Sequence, residues 1–101
     1  MPAVIEYTMR TKPEFFNDVL AAYVAFADEF GVLNPSEDVI LVTADHRRQI
    51  IRGIGVFESA IEAAAVRSSD VFEAFRARVA DMLSEVPERE EQQLVHMFIK
   101  A

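Results

Sequence analysis

Apolar and polar residues alternate from Val4 to Arg10, with Ile5, Tyr7 and Met9 on one side and Glu6, Thr8 and Arg10 on the other. A period of two predicts a half-buried strand. The period then changes. Thr11 and Glu14 have capping-box spacing, and Pro13 falls in the first turn, where its missing N–H is no loss. Phe16, Val19, Leu20, Tyr23, Val24, Ala27 and Phe30 recur at three and four, which predicts an amphipathic helix. Phe15 and Phe26 widen its apolar stripe, and Gly31 is expected to end it with a positive φ. Asn34-Pro35-Ser36 reads as a turn. Asp38 to Ala44 is a nearly continuous apolar strand, and Asp45 to Arg48 is short and polar enough for a hairpin. Gln49 to Phe57 is the third strand, with Ile50, Arg52, Ile54 and Val56 opposite Ile51, Gly53, Gly55 and Phe57.

Ser59 and Glu62 form a second capping box before an alanine-rich helical piece, and Ser68-Ser69-Asp70 restarts it. Phe72, Phe75, Val79, Met82, Leu83 and Val86 make a second apolar stripe, which Pro87 stops. Glu88 to Glu91 reads as a solvated loop. Gln93 to Lys100 alternates again and is expected to be the last strand.

The order strand–helix–strand–strand–helix–strand is the α+β ferredoxin-like βαββαβ arrangement. It predicts a four-stranded antiparallel sheet with two helices on one face. The other face remains rich in Ile50, Ile54, Val56, Leu94 and Phe98. A sheet that is apolar on both sides needs a second cover, and a further copy of the chain is the simplest one. The expected assembly is therefore a homodimer through the sheet face. The length of 101 residues, without linker or low-complexity tract, reads as a single domain over 1–101.

Composition narrows the functions. Net charge is −7, the wrong sign for binding nucleic acid or an anionic membrane. The chain has no cysteine, which removes thiolate catalysis, disulfides and iron–sulfur ligation. No apolar run has signal-peptide or membrane-spanning length, so the expected location is cytoplasmic. The two histidines lack metal-ligand spacing, and no glycine-rich phosphate loop or nucleophile elbow is present. No metal and no cofactor are expected.

The layout resembles the dimeric α+β barrel group, and within it the antibiotic-biosynthesis-monooxygenase-like proteins. The stretch Arg52 to Ser59, running from the third strand into the second helical region, and Ser69 to Met82 carry the resemblance. It implies two facing sheets in a homodimer and a pocket between helices and sheet in each subunit. It also implies an activity such as cofactor-independent oxygenation of an aromatic or polyketide-like substrate. The haem-degrading branch places an Asn, a Trp and a His where this chain by layout has Tyr7, Phe57 and about Arg67, so haem degradation is not expected.

Parity selects the candidate residues. If Phe57 faces the helices, so do Ile51, Gly53 and Gly55. Two glycines under the helices leave room for a pocket lined by Tyr7, Met9, Gly53, Gly55, Phe57, Phe72, Phe75 and Met97. The ligand expected there is small and apolar or aromatic, with the Tyr7 hydroxyl orienting it. The same pattern is met by a filled core in a non-enzymatic dimer. The opposite face carries Glu6, Arg52 and His96, expected on neighbouring strands as a catalytic acid–base set or as an ion cluster fixing dimer register. Lastly, Pro2 would become an amino-terminal base if Met1 were removed, as in tautomerases. That chemistry needs a buried amine near a cation.

Overall fold

The computed structural model of the chain describes residues 2–35 and 37–100. Strand β1 spans Ala3–Arg10 and helix α1 Phe16–Leu33. A hairpin of β2, Glu37–Asp45, and β3, Ile50–Phe57, follows. Helices α2, Ala60–Ala65, and α3, Asp70–Val79, lead to strand β4, Glu88–Gln93. The four strands form one antiparallel sheet in the order β2-β3-β1-β4. This is the expected ferredoxin-like arrangement, with the first and third strands central.

Pleat parity sends Tyr7, Met9 and Ile51 toward the helices, where they pack with Phe16, Val19, Tyr23, Phe72, Phe75 and Val79. Ala3, Ile5, Phe30, Phe57 and Ala63 form a second cluster at the other end. Met9, Val19 and Ile51 are 0% exposed. Fully burying such a side chain is worth about 1.5–3 kcal/mol.

The second helical region divides where its serines sit. Ser59 Oγ accepts from the Glu62 N–H at 3.3 Å, and Ser69 Oγ accepts from the Phe72 N–H at 3.2 Å. The Val66–Ser68 turn joins α2 to α3 as a 3-10 segment. At the hairpin, Asp45 accepts from the Arg48 backbone N–H at 3.0 Å and from Arg48 Nε at 2.8 Å. Gln49 then takes φ 58°, the left-handed conformation that closes the turn.

Two local expectations are corrected. Gly31 lies inside α1 without a positive φ, and the helix runs on to Leu33. Asn34 Nδ2 donates to the Phe30 carbonyl at 2.9 Å and so occupies one of the terminal acceptors. Ser36 of the expected turn lies outside the described residues. Thr11 does not cap a helix. Its backbone N–H donates to Gln49 O at 3.1 Å, it bridges Leu83, and its buried Oγ1 has no hydrogen-bond partner among the described residues. The first turn, Pro13–Phe15, takes Lys12 as its N-cap, so Thr11 stands one residue too early to cap it.

The largest correction concerns the last strand. It is the acidic stretch Glu88–Gln93, not Gln93–Lys100. The chain returns to the sheet beside the end of β1. The Lys12 N–H donates to Met82 O and the Ser84 N–H to Arg10 O, both at 2.9 Å. Pairing begins at once, with Glu88 opposite Thr8, and reaches Ala3 at Gln93. Arg10 Nη1 reinforces the start by meeting Glu88 Oε1 at 2.8 Å. After the Leu94 N–H donates to Pro2 O at 3.1 Å, β1 offers no further partner. Val95, Phe98 and Ile99 follow as an exposed extension outside the sheet. Val86, expected in the apolar stripe, is exposed for a similar reason: α3 ends at Val79 and a 3-10 turn, Ala80–Met82, leads away.

Thr11 supplies a test of this geometry. Thr11→Val removes a buried hydroxyl that satisfies nothing, so thermal unfolding should show no loss of stability. If the hydroxyl were an N-cap, the same change would cost about 1 kcal/mol.

Candidate functional site

A cavity of about 50 Å³ lies between the sheet and the helices. Tyr7, Gly53, Gly55 and Phe57 form its floor, and Tyr23, Phe26, Phe30 and Phe72 form its aromatic roof. Strand pairing sets the floor: Tyr7 is opposite Gly53, and Ile5 is opposite Gly55. Gly53 is needed for close approach. The Tyr23 hydroxyl occupies the place a β-carbon at residue 53 would take, and Tyr23 Cε2 would lie 2.6 Å from it. Part of the space the glycine opens is thus already filled by α1. The rings interlock: Tyr7 meets Phe72 edge-on at 5.7 Å between centroids, and Phe26 stacks on Tyr23 at 5.7 Å. Such pairs hold the walls in defined orientations.

Five of the eight pocket residues expected from sequence line this cavity: Tyr7, Gly53, Gly55, Phe57 and Phe72. Met9 is fully buried in the neighbouring core. Phe75 packs in the same core and lines a separate groove between α1 and α3. Met97 lies beyond β4 and is 46% exposed. Its displacement follows from the shift of the last strand.

Nine further described residues line the cavity without having been anticipated, and two of them are charged. Arg67, on the Val66–Ser68 turn, and Arg89, on β4, both line the cavity. Arg89 is opposite Tyr7 in the β1–β4 register and shares its side of the sheet. Its Nη2 donates to the Ala63 carbonyl at 3.3 Å. The alternation Glu88-Arg89-Glu90-Glu91 was the available signal. A run of charges reads as solvated until it is known to be a strand, and then one residue in two points inward.

Burial pushes the Tyr7 phenol up from its usual range, partly offset by the positive charge of Arg76. Tyr7 is therefore a neutral hydroxyl at physiological pH, able to donate a hydrogen bond. Loss of water around Arg89, together with Arg67 nearby, pushes that guanidinium down, partly offset by Glu91.

On the opposite face, Arg52 Nε lies 3.9 Å from Glu6 Oε1, and both side chains are about one-third exposed. His96 does not join them. It is exposed past the end of β4, and the position beside Glu6 belongs to Glu90. The expected set of three is thus reduced to a pair, on the sheet face away from the cavity. His46 is exposed, with its ring 4.7 Å from that of Phe16. Among the described residues, no group of three His, Asp or Glu side chains could hold a metal, and no helix is long and apolar enough to cross a membrane. Pro2 is exposed beside Glu91, the reverse of the apolar, cation-flanked setting that lowers an amine pKa. Met1 lies outside the described residues.

An antiparallel βαββαβ sheet with helices on one side and an aromatic cavity between the layers defines a ferredoxin-like α+β domain. Comparison with solved structures supports the fold: the chain is similar to several structures, among them ones named as antibiotic biosynthesis monooxygenases. One similar structure is a Nitrosomonas europaea protein whose name assigns it provisionally to the antibiotic biosynthesis monooxygenases. Its TM-score is 0.85 at 12% identity, over 94% of this chain and 91% of that one. Rv0793 from Mycobacterium tuberculosis has a TM-score of 0.84 at 12% identity, over 96% and 98% of the two chains. A structure called antibiotic biosynthesis monooxygenase gives 0.80 at 14%, over 95% and 100%. No family profile matches the sequence. No curated protein matches it either.

Alkaline titration tests the Tyr7 environment. The phenolate step lost in Tyr7→Phe should come above pH 10, read by tyrosinate absorbance. In that range the unfolded chain has released a proton that the folded chain still holds, so stability should fall as pH rises. Tyr7→Phe should lose less stability there than the parent. A Tyr7 step at or below pH 10 would contradict the burial.

Proposed function

We propose that this chain is a small-molecule-binding α+β barrel protein that works as a homodimer and oxygenates an aromatic or polyketide-like substrate without a bound cofactor. The supporting observation is the cavity, with aromatic walls and the buried Tyr7 hydroxyl. In such chemistry a methylene made acidic by neighbouring rings or carbonyls loses a proton, and the resulting carbanion delivers its electrons to dioxygen. The balance is R₂CH₂ + O₂ → R₂C=O + H₂O. Carbon loses four electrons, one oxygen atom becomes the carbonyl, and the other leaves as water with the two hydrogens.

The protein's share is to hold the ring, exclude water and favour the anionic form. Tyr7, as a neutral donor, would orient the substrate oxygen. The Glu6–Arg52 pair lies on the face we assign to the second copy, where it would fix register between subunits. Leu41, 53% exposed and opposite Ile54, belongs to that face. The exposed Val95, Phe98 and Ile99 add apolar surface for a partner to cover.

A non-enzymatic ligand-binding dimer is the second reading. It is favoured by the cavity's about 50 Å³, far below the ~300–1,000 Å³ common for ligand pockets. A flat substrate would enter only if partly exposed rim residues such as Phe26 and Val66 swing aside.

Two measurements test these statements. With anthrone as probe, the chain should consume oxygen well above the uncatalysed rate, and Tyr7→Phe should lower the excess at least tenfold. No excess leaves the binding reading in place of the oxygenase. Sedimentation should give a dimer at micromolar concentration, and Leu41→Lys should shift it toward monomer. A monodisperse parent monomer would contradict the dimer.

A further inference from the structure

We propose that the cavity takes an aromatic acid, with its ring among the aromatic walls and its carboxylate held between Arg67 and Arg89. This rests on reading the cavity as a binding site and adds the charge of its ligand.

The chain as a whole is acidic, with 17 Asp and Glu against 10 Lys and Arg. The described residues that line the cavity reverse this balance: they include two arginines and no carboxylate. Arg89 is held mostly out of water, its side chain 16% exposed. Its compensation is thin. The Ala63 carbonyl lies at 3.3 Å, and the half-exposed Glu91 carboxylate approaches only to 4.0 Å. Arg67 forms no ion pair among the described residues, and it is close enough for its charge to act unfavourably on Arg89. Two like charges beside an apolar cavity, one of them desolvated, are costly unless an anion joins them. A guanidinium fork matches a carboxylate through two parallel hydrogen bonds, so a planar acid suits this pair better than a neutral ligand does.

Placement agrees with that assignment. Arg89 stands across from Tyr7, so a ring beside the Tyr7 hydroxyl would direct its acid group along β4 toward the guanidinium. Arg67 sits on a single 3-10 turn at the rim and is exposed, so it can move with an entering ligand. The negative surface elsewhere would repel the same anion and leave this mouth as its point of attraction.

The test compares 4-hydroxybenzoate with neutral 4-hydroxybenzamide on the full chain. Calorimetry gives affinity and amide chemical shifts locate the site. The acid should bind at least tenfold tighter than the amide. Arg67→Gln, at an exposed position, should remove most of that preference, as should Arg89→Gln. Arg89→Lys should retain part of it, and far-ultraviolet circular dichroism checks that each variant is folded. Equal affinity for the two probes, with shifts around Tyr7 and Phe72, overturns the anion assignment and leaves the binding site standing. An acid preference unchanged in folded Arg67→Gln and Arg89→Gln also overturns the assignment. Failure of both probes to bind overturns the cavity as a binding site and the assignment with it.

Discussion

Tyr23 of α1 lies directly over the α-carbon of Gly53 in β3, and the spacing of the two layers depends on that contact. A β-carbon there would push the helix off the sheet. Because it is absent, the Tyr23 ring reaches the floor while its neighbours Phe26 and Phe75 close around it. The close approach buries Met9, Val19 and Ile51 completely. It also leaves an unfilled space toward Gly55 and Phe57. Core and cavity are thus two consequences of one missing side chain, separated by a single tyrosine.

Electrostatics divides the molecule in a complementary way. Most charges are carboxylates turned to water, where pairs such as Arg48–Asp45 and Arg76–Glu73 contribute little. Arg89 differs because β4 places it on the helix side of the sheet. Its neighbours Glu88 and Glu90 face the other way, Glu88 pairing with Arg10 at the start of the strand. An acidic hexapeptide can serve as an edge strand here because its single cation is turned inward. Its carboxylates remain hydrated, and charged edges also discourage unwanted pairing.

The sheet's outer face is mixed rather than continuously apolar. Val4, Val39, Leu41 and Ile54 share it with Glu6, Thr8, Arg52, Glu88 and Glu90. The isolated chain leaves Leu41 and the Val95–Ile99 extension in water. The chain has helices for one side of its sheet only, and this is the physical ground for the homodimer proposed above.

Local chemistry in the sequence determined much of this. Period-two alternation specified β1 and β3 and the face each residue takes. Period 3.6 specified α1 and α3, and Ser59 and Ser69 marked the starts of α2 and α3 through their own hydroxyls. The placement of Tyr7, Gly53, Gly55, Phe57 and Phe72 around one cavity follows from those patterns together with the ferredoxin order. What only the tertiary structure decided is where the chain rejoins the sheet. Gln93 to Lys100 has the better strand pattern, but Met82 and Ser84 are tied to Lys12 and Arg10, and β1 has only eight residues to offer. Pairing that begins at Thr8 exhausts β1 by Ala3, whatever pattern comes afterward. That geometric limit moved His96 and Met97 out of the sheet and turned Arg89 into the cavity, because strand pairing is a contact between distant segments that no local period records.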